Sequence, residues 1–83
     1  MYVVYILFST KIDKYYVGYT NDLDRRISEH NRCKGKFTDR GIPWIIVHTE
    51  TFENSHDARA REAEIKAKKS RHYIEEVIRG SGR

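Results

Sequence analysis

The sequence predicts a small α/β (α+β) domain in which a three-stranded, mainly antiparallel sheet is flanked by helices. Three short runs rich in β-branched and aromatic residues predict strands: Tyr2–Phe8, Tyr15–Thr20 and Trp44–Phe52. Helix-capping residues near positions 21, 55 and 70 each precede a segment with apolar residues three or four apart, which is typical of amphipathic helices. The predicted element order is therefore ββαβαα.

The composition is that of one globular domain. Of the 83 residues, 39% are hydrophobic and 34% are charged, which excludes a low-complexity chain and leaves room for a single modest core. We expect one domain over residues 1–79 and a flexible tail over residues 80–83. A single cysteine, Cys33, excludes an internal disulfide and a CxxC metal pair. No run approaches the ~20 apolar residues of a membrane span, and the opening apolar run lacks the basic start of a signal peptide. We therefore expect a soluble, cytoplasmic protein with no membrane partner.

The first two strands are predicted to form a hairpin around a four-residue loop, Ser9–Ile12. This loop would set Tyr5 opposite Tyr16 and Val3 opposite Gly18 as cross-strand pairs. The two phenols and the glycine would then share one face of the sheet. Tyrosines often simply pack in strands, whereas a strand glycine is costly unless something approaches the backbone closely. The hairpin alone leaves both packing and a functional site open.

The first helix adds charged groups beside that face. Asn21 is a favourable N-cap for it. At about 100° per residue, four side chains fall on one continuous face: Leu23, Arg26, Ile27 and His30. Charged residues are rarely placed on a buried face without a partner. An arginine and a histidine four residues apart, beside paired tyrosines, therefore indicate a site.

The two later helices are predicted from their caps. Asn54-Ser55 caps a helix that we expect to reach about Lys69, and Ser70 caps a last helix over Arg71–Arg79. His48, in the third strand, is interpreted as an ordinary strand residue.

The helix after Asn54 carries one acid on its inner face. Glu62 falls on the side that packs toward the sheet, whereas Arg61 is expected to face solvent. A structural explanation is also available, because Glu62 could form a surface ion pair with Lys66, four residues on. Helical geometry alone leaves both interpretations open.

The formal net charge is +4, and the basic residues are clustered. One cluster lies between Arg25 and Arg40 and a second between Lys66 and Arg71. Basic patches that bracket a tyrosine-rich site suit a polyanion such as nucleic acid, although a solvated surface has the same composition. The predicted nucleic-acid contacts are Arg25, Arg32, Lys34, Lys36, Arg40, Lys66 and Lys69.

The motifs carry a family resemblance. Val3-Val4-Tyr5, then ten residues, then Tyr16-Val17-Gly18, followed by Arg26 and His30, resembles the GIY-YIG nuclease domain. The segment Ala58–Glu62 resembles the helix that supplies the metal-binding glutamate of that family, with Glu62 at the matching position. The resemblance covers essentially the whole chain, so a small single-domain member of the family is expected.

The resemblance implies a metal-dependent endonuclease that hydrolyses phosphodiester bonds, of DNA rather than RNA, in a process such as repair or recombination. Glu62 would hold one Mg²⁺ or Mn²⁺, and Arg26 would stabilise the transition-state phosphate. Tyr5, together with Tyr16, would orient or deprotonate the attacking water, and His30 would accept or polarise its proton. The implied set comprises four catalytic residues and two supporting ones: Tyr5, Tyr16, Arg26 and His30, with Gly18 and Tyr19 in support.

Two positions depart from the family pattern. Val3 replaces the glycine of the first triplet, and no residue near the C-terminus matches the catalytic asparagine of some members. The alternatives to the nuclease are a non-catalytic nucleic-acid-binding module with the same fold, and an RNA-directed or protein-interaction role. The nuclease hypothesis requires that Glu62 lie near Arg26 and Tyr5.

Overall fold

The computed structural model describes residues 1–32 and 40–80 and has the predicted α+β architecture. Its elements follow in the order ββαβαα: β1 (Tyr2–Ser9), β2 (Lys14–Thr20), α1 (Leu23–His30), β3 (Ile45–Phe52), α2 (Ser55–Ala67) and α3 (Arg71–Gly80). The sheet order is β2-β1-β3, so β1 is central and runs antiparallel to both neighbours. Cys33, Lys34, Lys36 and positions 81–83 lie outside the described residues.

The hairpin register differs from the predicted one by two residues. The loop has the predicted length of four, but it comprises Thr10–Asp13, so Tyr5 pairs with Gly18 and Leu7 pairs with Tyr16. Tyr5 and Tyr16 are therefore diagonal neighbours and not direct partners. A shift of two preserves the side to which every residue points, because side chains alternate along a strand. The prediction that both tyrosines and the glycine share one face is confirmed.

The loop starts one residue later than predicted because of side-chain contacts that the strand pattern does not show. Ser9 is fully buried, and its hydroxyl accepts a hydrogen bond from the Ile12 backbone N–H at 3.3 Å, which keeps it in β1. Asp13 closes the loop in the left-handed conformation (φ 55°), which aspartate tolerates better than most residues. Arg71 of α3 donates to both the carbonyl and the carboxylate of Asp13, at 3.0 and 2.8 Å. The loop is thus held by the last helix.

One face of the sheet packs against α1. The odd-numbered residues of β1 point to this side, where Tyr5 and Leu7 form a buried cluster with Trp44. Leu23 and Ile27 of α1 pack against that cluster. This arrangement confirms the predicted apolar stripe of the helix, and it turns Arg26 and His30 toward the same face because they share that stripe.

The opposite face packs against α2 and α3. Val4 and Ile6 of β1 form the main core there with Ala58 and Ile65 of α2. The predicted apolar side of α3 packs against this core: Tyr73, Ile74, Val77 and Ile78. In the part of the chain that the structure describes, no helix is long and apolar enough to span a membrane.

Several element ends differ from the predictions. The N-cap of α1 is Asp22 and not Asn21, since the Asp22 carboxylate accepts the first-turn N–H at 3.2 Å. The third strand begins one residue after Trp44, and α3 continues through Gly80. Helix α2 stops two residues before Lys69, because Lys69 adopts a left-handed conformation (φ 48°) that an α-helix cannot contain.

Both predicted caps of the later helices are confirmed. The Asn54 side chain accepts the Asp57 N–H at 2.8 Å, and the Ser70 hydroxyl accepts the Tyr73 N–H at 3.1 Å. These bonds satisfy backbone donors that have no partner inside the helix. They also fix where α2 and α3 start relative to the sheet.

Candidate active site

A cleft of about 400 Å³ lies at the β2 edge of the sheet, and it collects most of the predicted site residues. We call it the edge cleft. Its lining comes from both strands of the hairpin, the turn after β2, α1 and α2: Tyr2, Tyr5, Tyr16, Gly18, Tyr19, Thr20, Asn21, Arg26 and Glu62. Of the predicted catalytic and metal residues, all but His30 line this cleft. The condition set by the nuclease hypothesis, that Glu62 lie near Arg26 and Tyr5, is met.

Gly18 gives Tyr5 its path to the cleft. A Cβ atom at Gly18 would lie 2.5 Å from the Tyr5 hydroxyl oxygen and 2.7 Å from Cζ, closer than any side chain can stand. The Tyr5 ring therefore crosses the edge strand over the one position in β2 that has no side chain. The sequence predicted a close approach to this glycine. The group that approaches is Tyr5 itself.

His30 holds the Tyr5 phenol from the side of α1. The Tyr5 hydroxyl lies 3.2 Å from His30 Nε2, and the Tyr16 ring meets the imidazole edge-on with centroids 4.6 Å apart. His30 is the last residue of α1, one turn after Arg26, so one helix face delivers both groups. The predicted tyrosine–histidine cluster is present, and His30 forms the wall behind the cleft lining.

Arg26 brings an unpaired donor to the cleft. Its Nε is buried and has no hydrogen-bond partner among the described residues. The Glu29 carboxylate is 3.5 Å from this nitrogen, too far for a good hydrogen bond. Leaving a buried donor unsatisfied costs about 1–3 kcal/mol. A cationic donor left in that state beside an open cleft is suited to an anionic oxygen of a ligand.

Glu62 enters the cleft from α2, on the other side of the sheet. Its side chain is 19% exposed, and the Lys66 ammonium lies 3.4 Å from one carboxylate oxygen. The ion pair considered from the sequence is thus also present, but because the Lys66 ammonium is solvent-exposed and 3.4 Å away, the pair is worth only about 1 kcal/mol. Metal or substrate can therefore displace Lys66 at little cost.

The donor set suits a hard divalent ion that keeps most of its water. Within residues 1–32 and 40–80, no group of three or more His, Cys, Asp or Glu side chains converges as metal ligands. A site that offers Glu62 alone fits Mg²⁺ or Mn²⁺ held by one carboxylate, water and substrate phosphate, a common arrangement for Mg²⁺. It does not fit zinc, which takes three or four protein ligands.

Burial raises the pKa of Tyr5 to about 12, with Tyr16 and Glu62 adding to the rise and Arg26 opposing it. The phenol is therefore protonated throughout the neutral range. In this state it can donate a hydrogen bond and orient a water, but it is a poor base by itself.

The predicted basic contacts have separate locations. Arg25, Arg32 and Arg40 are exposed on or near α1 and the segment before β3. Lys66 and Lys69 are exposed at the end of α2, where both line a second groove next to the edge cleft. The role of each as a nucleic-acid contact stays a prediction.

Three residues that line the cleft were not predicted as site residues: Tyr2, Thr20 and Asn21. Asn21 lies there because Asp22 takes the capping role that was predicted for Asn21. The Thr20 hydroxyl accepts the Asp22 N–H at 3.1 Å and so shapes the turn between β2 and α1. An asparagine and an aspartate in succession were the available signal that either could be the cap.

Arg61 was wrongly predicted to face solvent. It donates to both carboxylate oxygens of Glu50, at 2.9 and 3.1 Å, because α2 lies against β3 on this side. Glu50 is 2.7 Å from Nε2 of the buried His48, and Arg61 also reaches the Tyr73 hydroxyl at 3.4 Å. We call these four residues the β3–α2 network. His48 is therefore more than an ordinary strand residue, since it anchors this network.

The fold agrees with the comparisons to known proteins. A family model described as the GIY-YIG catalytic domain matches residues 1–74. The UPF0213 protein of Natronomonas pharaonis is 40% identical over 79 residues, which cover 89% of this chain and 92% of that protein. The UPF0213 protein of Bacillus velezensis is 43% identical over 68 residues, 77% of this chain and 69% of that protein.

A solved structure gives the same result. The solution NMR structure of the UPF0213 protein from Bacillus halodurans matches with a TM-score of 0.59 and 32% identity, over 94% of this chain and 83% of that one. The family-model match over residues 1–74 includes β1, β2 and the helix that bears Arg26. The chain therefore belongs to the GIY-YIG catalytic domain family and is similar throughout to its small UPF0213 proteins.

Proposed function

We propose that this protein is a metal-dependent endonuclease that hydrolyses phosphodiester bonds of DNA. One observation carries the proposal: Tyr5, Arg26 and Glu62, from three different elements, converge on one cleft in which the Arg26 Nε has no hydrogen-bond partner among the described residues. A module that only binds nucleic acid has no need of this convergence. Family membership supports a nuclease, and the basic surface supports a polyanionic substrate.

The charge of the scissile phosphate is met from two sides. Arg26 Nε donates to a non-bridging oxygen, and this contact strengthens as charge builds up in the transition state. Glu62 would hold Mg²⁺ or Mn²⁺, which when bound supplies further charge neutralisation at the phosphate. Lys66 then moves from Glu62 toward the substrate, where a cation is useful.

The proton of the attacking water passes through Tyr5. Because the pKa of Tyr5 is about 12, the phenol carries its proton at neutral pH and acts as a relay between the water and His30. The Tyr5 oxygen accepts the water proton as its own proton moves to His30 Nε2, 3.2 Å away. The resulting hydroxide attacks phosphorus, and the bond to the leaving oxygen breaks on the opposite side. The leaving alkoxide takes a proton from solvent water, and the His30 imidazolium returns its proton to solvent, which restores the starting state.

The test is cleavage of labelled DNAs (linear, nicked, flap and branched) and of an RNA of matched sequence, with Mg²⁺ or Mn²⁺. Wild type is compared with Glu62→Ala and with Glu64→Ala, a control that removes an exposed acid from the same helix. We expect metal-dependent cutting of DNA that Glu62→Ala abolishes and Glu64→Ala preserves.

Other results would change the assignment. Salt-sensitive binding by all three proteins with no cutting would favour a non-catalytic binding module. Equal cutting by wild type and Glu62→Ala would remove Glu62 from the site and with it this metal scheme. Preferential cutting of the RNA would replace DNA as the substrate.

A further inference from the structure

A second cavity, of about 440 Å³, lies beside the edge cleft and has a different character. We call it the basic groove. Its floor includes the buried side chains of Val17 and Ile65 together with Ile74, and its rim includes the exposed side chains of Lys14, Lys66 and Lys69. Its volume is within the range of about 300–1,000 Å³ that small-molecule sites occupy.

The basic groove adjoins the edge cleft. Tyr16 lines both cavities, and the ammonium of Lys66, on the rim of the groove, is 3.4 Å from Glu62 in the cleft. Tyr16 and Lys66 therefore stand between the two cavities, and a strand whose phosphate lies between Arg26 and Glu62 reaches the groove by passing around the β2 edge. The two cavities are neighbours at this edge of the sheet.

The rim carries positive charge that the protein neutralises only in part, since Asp13 also lines the groove and interacts electrostatically with Lys14. Within the described residues, neither Lys14 nor Lys69 has a carboxylate within 4 Å. The guanidinium of Arg71 also lines the groove, but it is paired with Asp13 at 2.8 Å and Glu75 at 3.2 Å. The two lysines are thus the cations left for an anion, and phosphate is the anion that the neighbouring cleft takes.

The backbone at Lys69 supports a binding role. Lys69 follows the end of α2 in a left-handed conformation (φ 48°), a position that glycine usually occupies because it has no Cβ. A lysine here is conformationally less favourable than glycine, yet it places an ammonium on the rim of the groove.

The apolar floor indicates what accompanies the phosphate. Phosphate alone gains nothing from this apolar floor, whereas a flat nucleobase buries its own apolar surface there, chiefly against the partly exposed Ile74, with the buried Val17 and Ile65 beneath. A base can reach this floor only if it is not paired with a second strand. We propose that the basic groove binds one nucleotide of the substrate strand, with its unpaired base on the apolar floor and its phosphate at the lysine rim. The identity of the polyanion rests on the proposed function.

The floor is tested by NMR on methyl-labelled protein without divalent metal. The probes are adenosine 5′-monophosphate, adenosine and inorganic phosphate. We expect the monophosphate to shift the methyl resonances of Val17, Ile65 and Ile74 in a saturable way, and to do so at lower concentration than adenosine. Methyl shifts that inorganic phosphate reproduces, or their absence with the monophosphate, would overturn the nucleotide assignment.

The rim is tested with a matched pair of variants. Lys69→Gly removes the ammonium and suits the backbone, so its melting temperature should not fall. Lys68→Ala removes the same charge from the adjacent residue, whose ammonium lies over the Tyr73 ring at 5.4 Å, outside the groove lining. Binding of a labelled single-stranded dodecanucleotide is measured at several salt concentrations.

We expect Lys69→Gly to weaken binding about threefold to tenfold. The plot of the logarithm of the binding constant against the logarithm of the salt concentration should become shallower by about 0.7, the value for one lost phosphate contact on a single strand. Lys68→Ala should bind as wild type does. An equal loss in both variants would show attraction by overall charge and would overturn the site.

The two proposals can fail separately. A protein that cuts DNA but shows no methyl shifts with the monophosphate keeps its nuclease assignment and loses the basic groove as a nucleotide site. A protein that cuts nothing, but shows the methyl shifts and the Lys69→Gly effect, keeps the groove and loses the nuclease.

Discussion

Two clusters in this small fold contain the same four residue types but differ in how their polar atoms are paired. The edge cleft and its wall bring together Tyr5, Arg26, His30 and Glu62. The β3–α2 network, on the other side of the sheet, consists of His48, Glu50, Arg61 and Tyr73. Each cluster thus has one arginine, one histidine, one glutamate and one tyrosine.

In the network the ionic groups satisfy one another. Arg61 donates to both oxygens of Glu50, and Glu50 also contacts His48 Nε2 at 2.7 Å. Among the described residues of the network, the buried side-chain atom without a hydrogen-bond partner is His48 Nδ1. In the cleft, Arg26 Nε has no hydrogen-bond partner among the described residues, and the cation paired with Glu62 there is the exposed Lys66. The same chemistry holds the fold together where it is paired and is available to a ligand where it is not.

The largest expected effect is the loss of cleavage rate when Arg26 of the cleft is replaced. Arg26→Ala removes the unpaired donor of the cleft, so we expect the single-turnover cleavage rate to fall about 10²–10³-fold, or about 2.7–4 kcal/mol of transition-state stabilisation. Arg59→Ala, at an exposed position of α2 outside the predicted nucleic-acid contacts, should retain a rate within a few-fold of wild type. Melting temperatures measured in parallel should be similar for both variants. An unchanged cleavage rate in Arg26→Ala would remove the distinction between cleft and network.

The next effect concerns stability on the network side. Arg61→Ala leaves the half-buried Glu50 beside His48 without a cation, and we expect the free energy of unfolding to fall by about 2 kcal/mol. Arg59→Ala, exposed on the same helix, is the control and should change it by less than about 0.5 kcal/mol. Urea denaturation at pH 7 measures both.

Acid provides an internal check on the same variant. Hydrogen bonds from Arg61 hold the pKa of the Glu50 carboxyl below its usual range. A depressed folded-state pKa contributes stability that is present above the unfolded pKa and is lost as pH falls through the folded one. The difference between wild type and Arg61→Ala should therefore shrink as the pH is lowered from 7 toward 3. A constant difference would mean that packing, and not the ion pair, accounts for the loss.

The cleft was largely predictable because its signals are local. Tyr5, Tyr16 and Gly18 lie on one short hairpin, and the register error of two residues did not affect their shared face, because side chains alternate with period two. Arg26 and His30 followed from the helical period within eight residues. The placement of Glu62 in the cleft needed the family resemblance in addition, since helical geometry alone left its pairing with Lys66 equally open.

The network and the groove could not be predicted in this way. Arg61 meets Glu50 across two elements whose relative position depends on how α2 lies against β3, and no spacing in the chain encodes that distance. The groove likewise joins Lys14 of the hairpin to Lys69 after α2. The left-handed conformation of Lys69 could not be predicted from the sequence either, because glycine and not lysine is the usual signal of such a helix end.

The smallest expected effect is on the free energy of unfolding in alkali, and it comes from the Tyr5 hydroxyl. The Tyr5 pKa is raised from 10 to about 12 in the folded protein, chiefly by burial. Below pH 10 the phenol is neutral in both folded and unfolded chains, so it adds no pH dependence to stability. Between pH 10 and 12 the unfolded chain ionises first and binds fewer protons, so the contribution of Tyr5 to the free energy of unfolding falls as the pH rises.

Tyr5→Phe, which keeps the ring over Gly18 and removes the hydroxyl, should therefore be less sensitive to alkali than wild type. Urea denaturation at intervals from pH 8 to 11.5 would show the free energy of unfolding of wild type falling more steeply than that of Tyr5→Phe above pH 10, because the other ionisable groups are common to both proteins. Parallel curves would mean that the Tyr5 hydroxyl is ordinarily hydrated and that its pKa is near 10. In that case a tyrosinate at Tyr5 would be within reach in mild alkali, and the proton relay through neutral Tyr5 to His30 would lose its basis.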